Sequence, residues 1–141
     1  MLTLSTARKL KEAGLSWTPA LHDFFAIPDR DFDDKVFVIS DILVNVEMLR
    51  DQLAATFHGT VEWALDHVVV DELVWLPTEE QLREELEKRT IAGPSRSVKL
   101  SSTRDGYVCE FQVGDQRLRF EAFDASAAYA AALLHVLSAN P

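Results

Sequence analysis

Between Val98 and Ala122 the chain carries two turn-forming dipeptides, Asp105-Gly106 and Gly114-Asp115, each set between runs in which apolar and polar residues alternate. A two-residue hairpin loop demands positive φ, which Gly supplies and Asp tolerates. Taking each dipeptide as a loop fixes a register. The second loop sets Val113 opposite Gln116, Phe111 opposite Leu118, Glu110 opposite Arg119 and Cys109 opposite Phe120. The first sets Leu100 opposite Phe111 and Val98 opposite Val113. Alternation with a period of two then gathers Val98, Leu100, Cys109, Phe111, Val113, Leu118, Phe120 and Ala122 on one face. Lys99, Glu110, Gln112, Arg117, Arg119 and Glu121 take the other, with Glu110 and Arg119 as a cross-strand ion pair. A slip of one residue would bury two arginines, so the face assignment is strongly held.

The apolar face needs a cover. Asp124 is a good N-cap for a helix over 125–138, whose main stripe is Tyr129, Ala132, Leu133, Val136 and Leu137. The rest of its surface is mostly apolar as well, and a helix greasy all round is buried on more than one side. Either the N-terminal part of the chain or a second subunit is expected to pack on it.

Upstream, Ser5 is placed to cap a helix over 6–13 that Gly14 ends. Strands are expected at 24–27, at 36–40 (buried on both faces), at 42–46, at 53–58 after a turn at Arg50-Asp51-Gln52, and through an extended 68–76. The surest N-terminal helix is 78–88. Thr78 with Gln81 forms a capping box, Pro77 with Leu82 a hydrophobic staple, and Glu84 with Lys88 an i,i+4 ion pair. Leu82 and Leu86 are its apolar anchors. The Ala92-Gly-Pro-Ser95 stretch is the clearest linker. Together these elements predict one α+β domain over 1–141: an antiparallel sheet including the 98–122 meander, packed by N-terminal, middle and C-terminal helices.

Composition narrows the function classes. Hydrophobic residues make up 48% of the 141, ample for a core. The net charge of −9 is carried entirely by residues 1–92, which hold 9 basic against 18 acidic side chains. Without a basic patch, phosphate-driven nucleic-acid binding is not expected. No run reaches the ~18 apolar residues of a membrane span. There is no basic-then-apolar leader, and the lone Cys109 falls on the predicted core face, so a cytoplasmic protein without a membrane partner is expected.

Candidate chemistry is sparse. There is neither GxxxxGKS nor GxGxxG for phosphates, no GxSxG elbow, and one Cys rules out zinc spacings that need more. No cofactor is expected. Asp29, Asp31 and Asp33 match the first three ligand positions of a calcium loop. Asp34 then replaces the required Gly and Ser40 the bidentate Glu, so a solvated loop is the plainer reading. The most suggestive constellation is His58, Glu62 and Asp66. If the chain turns helical at Thr60, Glu62 and Asp66 share a face, and His58 approaches from a strand end. Two carboxylates and an imidazole can move protons or hold a divalent metal; the competing reading makes them caps and solubilising groups around an inward Trp63. His22 beside Asp23 reads as a surface pair. His135 reads as a hydrogen-bonded or interface residue, and Trp17, Trp63 and Trp75 as core.

Trp17-Thr-Pro19, Val36-Phe-Val-Ile-Ser-Asp41, Gly59-Thr60 with Glu62-Trp-Ala-Leu-Asp66, Trp75-Leu-Pro77 with Gln81-Leu-Arg83, and Tyr129 with Ala132-Leu-Leu134 together resemble a family of short bacterial proteins of unknown function. Some members carry a pilus-assembly label, which properly belongs to a larger P-loop ATPase. The tail, with Phe123-Asp124 and the Ala-rich helix, is loosely similar to small phage proteins with an α-β-α sandwich. The resemblance implies no catalytic residue. The leading expectation is a non-catalytic interaction or assembly module that self-associates as a homodimer or meets another protein. The alternatives are a small metal-assisted hydrolase built on His58, Glu62 and Asp66, and an acidic decoy for a nucleic-acid-binding protein.

Overall fold

A computed structural model describes residues 1–29, 35–40, 44–57, 67–90 and 98–139. The described elements, in chain order, are α1 (Leu4–Glu12), β1 (Phe24–Ala26), β2 (Phe37–Val38), β3 (Val44–Leu49), β4 (Gln52–Phe57), β5 (His67–Val69), a 3-10 turn (Val70–Glu72), β6 (Val74–Trp75), α2 (Glu79–Thr90), β7 (Lys99–Thr103), β8 (Gly106–Val113), β9 (Gln116–Ala122) and α3 (Ala125–Ala139). The fold class is α+β, and every described strand pairing is antiparallel. The residues gather into two compact units, Met1–Leu15 with Pro77–Pro141, and Ser16–Leu76.

The first unit is built on the three-stranded sheet β7-β8-β9. Its second hairpin has the register that the Gly114-Asp115 loop dictates: Val113 faces Gln116, Phe111 faces Leu118, Glu110 faces Arg119 and Cys109 faces Phe120. Gly114 takes φ +61, as the first position of a two-residue loop requires. The first hairpin differs from expectation. Its loop is Arg104-Asp105, so Leu100 faces Cys109 rather than Phe111. Gly106 is instead the first residue of β8, at φ +151, so placed that a Cβ there would run into the backbone of Ala122, the last residue of β9, and of Phe123 just after it. The glycine answers a close backbone approach, not a turn angle. Because the shift is two residues, every side chain keeps its face.

On the expected inner face Val98, Cys109 and Phe111 are buried, and Leu100, Leu118, Phe120 and Ala122 are half-buried. The Phe111 and Phe120 rings stack at 5.8 Å. Val113 departs, being 45% exposed at the hairpin tip. Arg117 and Arg119 are exposed as the alternation requires. Glu110, however, pairs diagonally with Arg117 at 3.3 Å, while Arg119 turns to Glu121 at 3.0 Å on its own strand. One further correction to the pattern is Val108, which is buried although it lies on the polar face.

Helix α3 starts where its cap predicts: the Asp124 carboxylate accepts from the Ala127 amide at 2.8 Å. It packs on β8, β9, α1 and α2, so Ala128, Tyr129, Ala130, Ala132, Leu133 and Val136 are all buried within the chain. Much of its apolar surface is therefore covered within the chain by α1, α2 and the sheet, while Ala127, Ala131, Leu134 and Leu137 stay half-buried. Helix α2 carries its capping box, Thr78 N–H to Gln81 Oε1 at 3.0 Å and Gln81 N–H to Thr78 Oγ1 at 3.2 Å. Leu82 and Leu86 are fully buried. The expected Glu84–Lys88 pair is not made. Glu85 takes Lys88 at 3.2 Å and Arg89 at 2.6 Å, because it lies closer to the packed side of α2. Helix α1 begins two residues before the expected Thr6, capped by Thr3 rather than Ser5. Gly14, at φ +104, closes it in a Schellman pattern with Leu15 N–H to Leu10 C=O and Gly14 N–H to Lys11 C=O.

The second unit holds two small sheets, β2-β1-β6 and β3-β4-β5. Phe25, Ile27, Phe37, Ile39, Ala55 and Leu73 form one cluster across them, flanked by Trp17, Val46 and Val70. The 36–40 stretch is not buried on both faces: Phe37 and Ile39 point in, while Val36 and Val38 are exposed. Antiparallel sheets commonly pack one face on the core and leave the other to solvent. The β3–β4 hairpin turns at Arg50-Asp51, both at positive φ, the signs of a type I′ turn made without glycine. The expected extended run 68–76 is broken by its 3-10 turn.

Candidate functional site

Of the residues that suggested chemistry, His58, Glu62 and Asp66 lie outside the described residues, as do Trp63, Asp31 and Asp33. Asp29 is exposed at φ +64, a turn conformation that Asp tolerates. Among the described residues no group of three or more His, Cys, Asp and Glu is placed to hold a metal ion. No helix among them is long and apolar enough to cross a membrane.

Cys109 is fully buried on β8, and burial pushes its thiol up to about 11 against a weaker opposing pull from Arg83. A thiol so held stays protonated at neutral pH and is a poor nucleophile. An open groove of about 550 Å³ is lined by Glu79, Glu80, Arg83, Glu84 and Glu87 of α2 and by Tyr129 of α3. Arg83 is its hub. The guanidinium donates to Glu87 at 2.7 Å and to the Val98 carbonyl at 3.4 Å, and it also lies against the Tyr129 hydroxyl. Burial raises the Tyr129 hydroxyl above its ordinary value, with Arg83 pulling back. The guanidinium, half exposed, thus ties α2 to the start of β7 and to α3. Helical spacing alone could have paired Arg83 with Glu87; nothing in the sequence places Tyr129 beneath them.

The second unit contains a buried polar group that adjacency misread. Asp23 is 6% exposed, not a surface partner of His22. Its Oδ2 accepts from Trp17 Nε1 at 2.9 Å and from the Ala20 amide at 3.0 Å. Trp17 in turn stacks parallel on Trp75 at 6.3 Å. The Trp75 Nε1 is buried without a hydrogen-bond partner. Both indoles are half-buried, in keeping with a core role at the rim of the cluster. His135 is exposed, its ring tilted against Phe120 at 5.4 Å.

The feature that stands out from this background is apolar and exposed. Phe123 is 88% accessible, at the corner where β9 passes into α3. Its backbone is held on both sides: Ala122 pairs with Tyr107, and Asp124 caps the helix. The residue preceding an N-cap commonly packs on the fourth helical position. Here that position is Ala128, already buried, and the ring remains in solvent. A second exposed pair is Met48, 63% accessible, and its cross-strand neighbour Leu53 at the tip of the β3–β4 hairpin. They continue outward the face on which Val46 and Ala55 meet the core. The N′ position of Phe123 was the one sequence signal for such a surface, and its exposure depends on what α3 does with Ala128.

Comparison of the chain with protein-family models, with curated proteins and with solved structures finds no match.

Proposed function

We propose that the protein is a non-catalytic interaction or assembly module whose contact with another protein is anchored at the β9–α3 corner. The observation that carries this reading is Phe123, a large aromatic side chain in solvent on a backbone pinned by strand pairing and a helix cap. Aromatic anchors presented by rigid backbone are what protein contacts use, because little conformational freedom is lost on docking. Arg83, Glu85 and Asp23 each make contacts within the fold, which accords with structural parts for these three.

A photo-reactive phenylalanine analogue at position 123, introduced in the organism that encodes the protein, tests this. A discrete cross-linked species is expected from position 123 and none from Lys99, exposed on the polar sheet face. Absence of any adduct from position 123, with the protein folded and abundant, would sink the reading.

A further inference from the structure

We propose that β9 pairs edge to edge and antiparallel with β9 of a second copy of this chain, with Phe120 at the two-fold axis; the inference rests on the reading of the protein as an interaction module. β9 ends the sheet order, so among the described residues β8 is its one strand neighbour. Val113 and Gln116 close a two-residue loop and exchange both of their ladder bonds, so Gln116, Leu118, Phe120 and Ala122 bond to β8. The alternate residues Arg117, Arg119 and Glu121 direct their backbone N–H and C=O groups outward. Such an edge is a template for another strand unless proline, a bulge or unmatched charge blocks it. β9 has no proline, and its seven residues pair with β8 without a bulge.

The charges decide which strand fits. Setting Arg119 opposite Glu121 of the second copy also sets Glu121 opposite that copy's Arg119, which gives two pairs of opposite sign. Arg119 already holds Glu121 of its own strand at 3.0 Å, so the four groups alternate in sign around the axis. The same alignment carries exposed Phe123 opposite exposed Arg117, a cation–π pairing. Asp124, taken up as the helix cap, falls opposite the neutral Gln116. On the inner face Phe120 meets Phe120 and Leu118 meets Ala122, all of them half-buried in the single chain. Sliding the strands by two residues sets Arg119 against Arg119 in one direction and Glu121 against Glu121 in the other. The alignment between them matches every charge, and the chain's own sequence supplies both sides of it.

Sedimentation velocity from about 10 to about 300 µM tests this, and a dimer is expected over that range. Arg119→Pro removes an outward N–H and is expected to raise the dimer Kd roughly 100-fold. The ladder with β8 does not use that N–H, so the circular dichroism spectrum is expected to hold. Arg119→Glu and Glu121→Arg each set like charges face to face, and each is expected to weaken the dimer about 10- to 100-fold, less so in added salt. Mixed in equal amounts, these two variants match opposite charges again and are expected to recover the dimer as a heterodimer. A monomer at about 300 µM overturns the proposal. So does a dimer that a folded Arg119→Pro protein still forms, which would place self-association on another surface. Should Arg119→Pro fail to fold, the mixture decides: charge variants that keep the full dimer, or that stay monomeric when mixed, overturn the pairing. A cross-link from position 123 to a different protein, with the purified chain monomeric, overturns self-pairing while the interaction reading stands.

Discussion

Replacing Gly106 by Ala should do far more damage than replacing Gly114, although both glycines sit at tight turns of the same meander. At Gly114 the backbone sits at φ +61 and an added Cβ meets nothing within 4 Å. The cost there is the left-handed conformation alone, about 1 kcal/mol. At Gly106 the φ of +151 is also unfavourable for Ala, and the Cβ would overlap the Ala122 carbonyl oxygen and stand 3.3 Å from the Ala122 carbonyl carbon and the Phe123 Cα. All three are backbone atoms, so no side chain can rotate away. Conformational strain of about 1–3 kcal/mol and an overlap of similar size together give about 3–4 kcal/mol. The unfolded-chain entropy that Gly→Ala removes is common to both variants and cancels in the comparison. The expected difference, about 2–3 kcal/mol, corresponds to a urea midpoint about 1–2 M lower for Gly106→Ala. Far-UV circular dichroism gives the midpoint. Amide exchange across 107–122 gives a local readout, because the tryptophans Trp17 and Trp75 lie in the other unit and would report its unfolding instead. If the two variants agree within about 0.5 kcal/mol, the strand contact deduced for Gly106 is wrong.

Other perturbations have definite outcomes. Glu85→Gln should cost about 0.5–1 kcal/mol at pH 7 by removing the Arg89 and Lys88 partners. Burial pushes the Glu85 carboxyl up, but those two hydrogen-bonded cations outweigh it and leave it below the ordinary value of 4.5. The stabilisation is therefore present above pH 4.5 and is lost as the pH falls through the lowered folded value, so the two proteins should converge in stability in acid. Cys109 should be inert to a disulfide-exchange reagent at pH 8 in the native protein and react fully in denaturant, since its thiol is buried and titrates at about 11; rapid native labelling would contradict its placement. Asp23→Ala should cost about 2–3 kcal/mol in the second unit, because it strands the Trp17 and Ala20 donors it now accepts. A loss below about 0.5 kcal/mol, read by tryptophan fluorescence, would mean those bonds are not made.

Local rules read much of the first unit from the sequence. The Gly114-Asp115 register, the Asp124 cap, the Thr78–Gln81 capping box and the Gly14 helix stop each depend on residues within a few positions of one another, where backbone geometry leaves few choices. The inner face of the meander survived even a two-residue error in the first hairpin, because alternation records parity and not offset. Side-chain partners were less legible. Glu110 choosing Arg117 over Arg119, and Glu85 rather than Glu84 taking Lys88, reflect which side chains lie nearer the packed surface, which spacing does not encode.

What the sequence determined alone is thus the alternation of faces, the ends of its well-capped helices and the α+β class. These follow from period, cap and turn chemistry acting over short distances. What required the tertiary structure is which surface remains uncovered. The chain's apolar α3 looked like a dimer face until α1 and α2 proved to lie on it, and Asp23 looked solvated until Trp17 closed over it. Phe123 is the converse: a large aromatic residue at the helix N′ position stays in water, and the fourth helical position on which such a residue commonly packs is Ala128, already buried by other elements. Burial is a property of everything that packs around a side chain, and that sum is set by contacts distant in sequence.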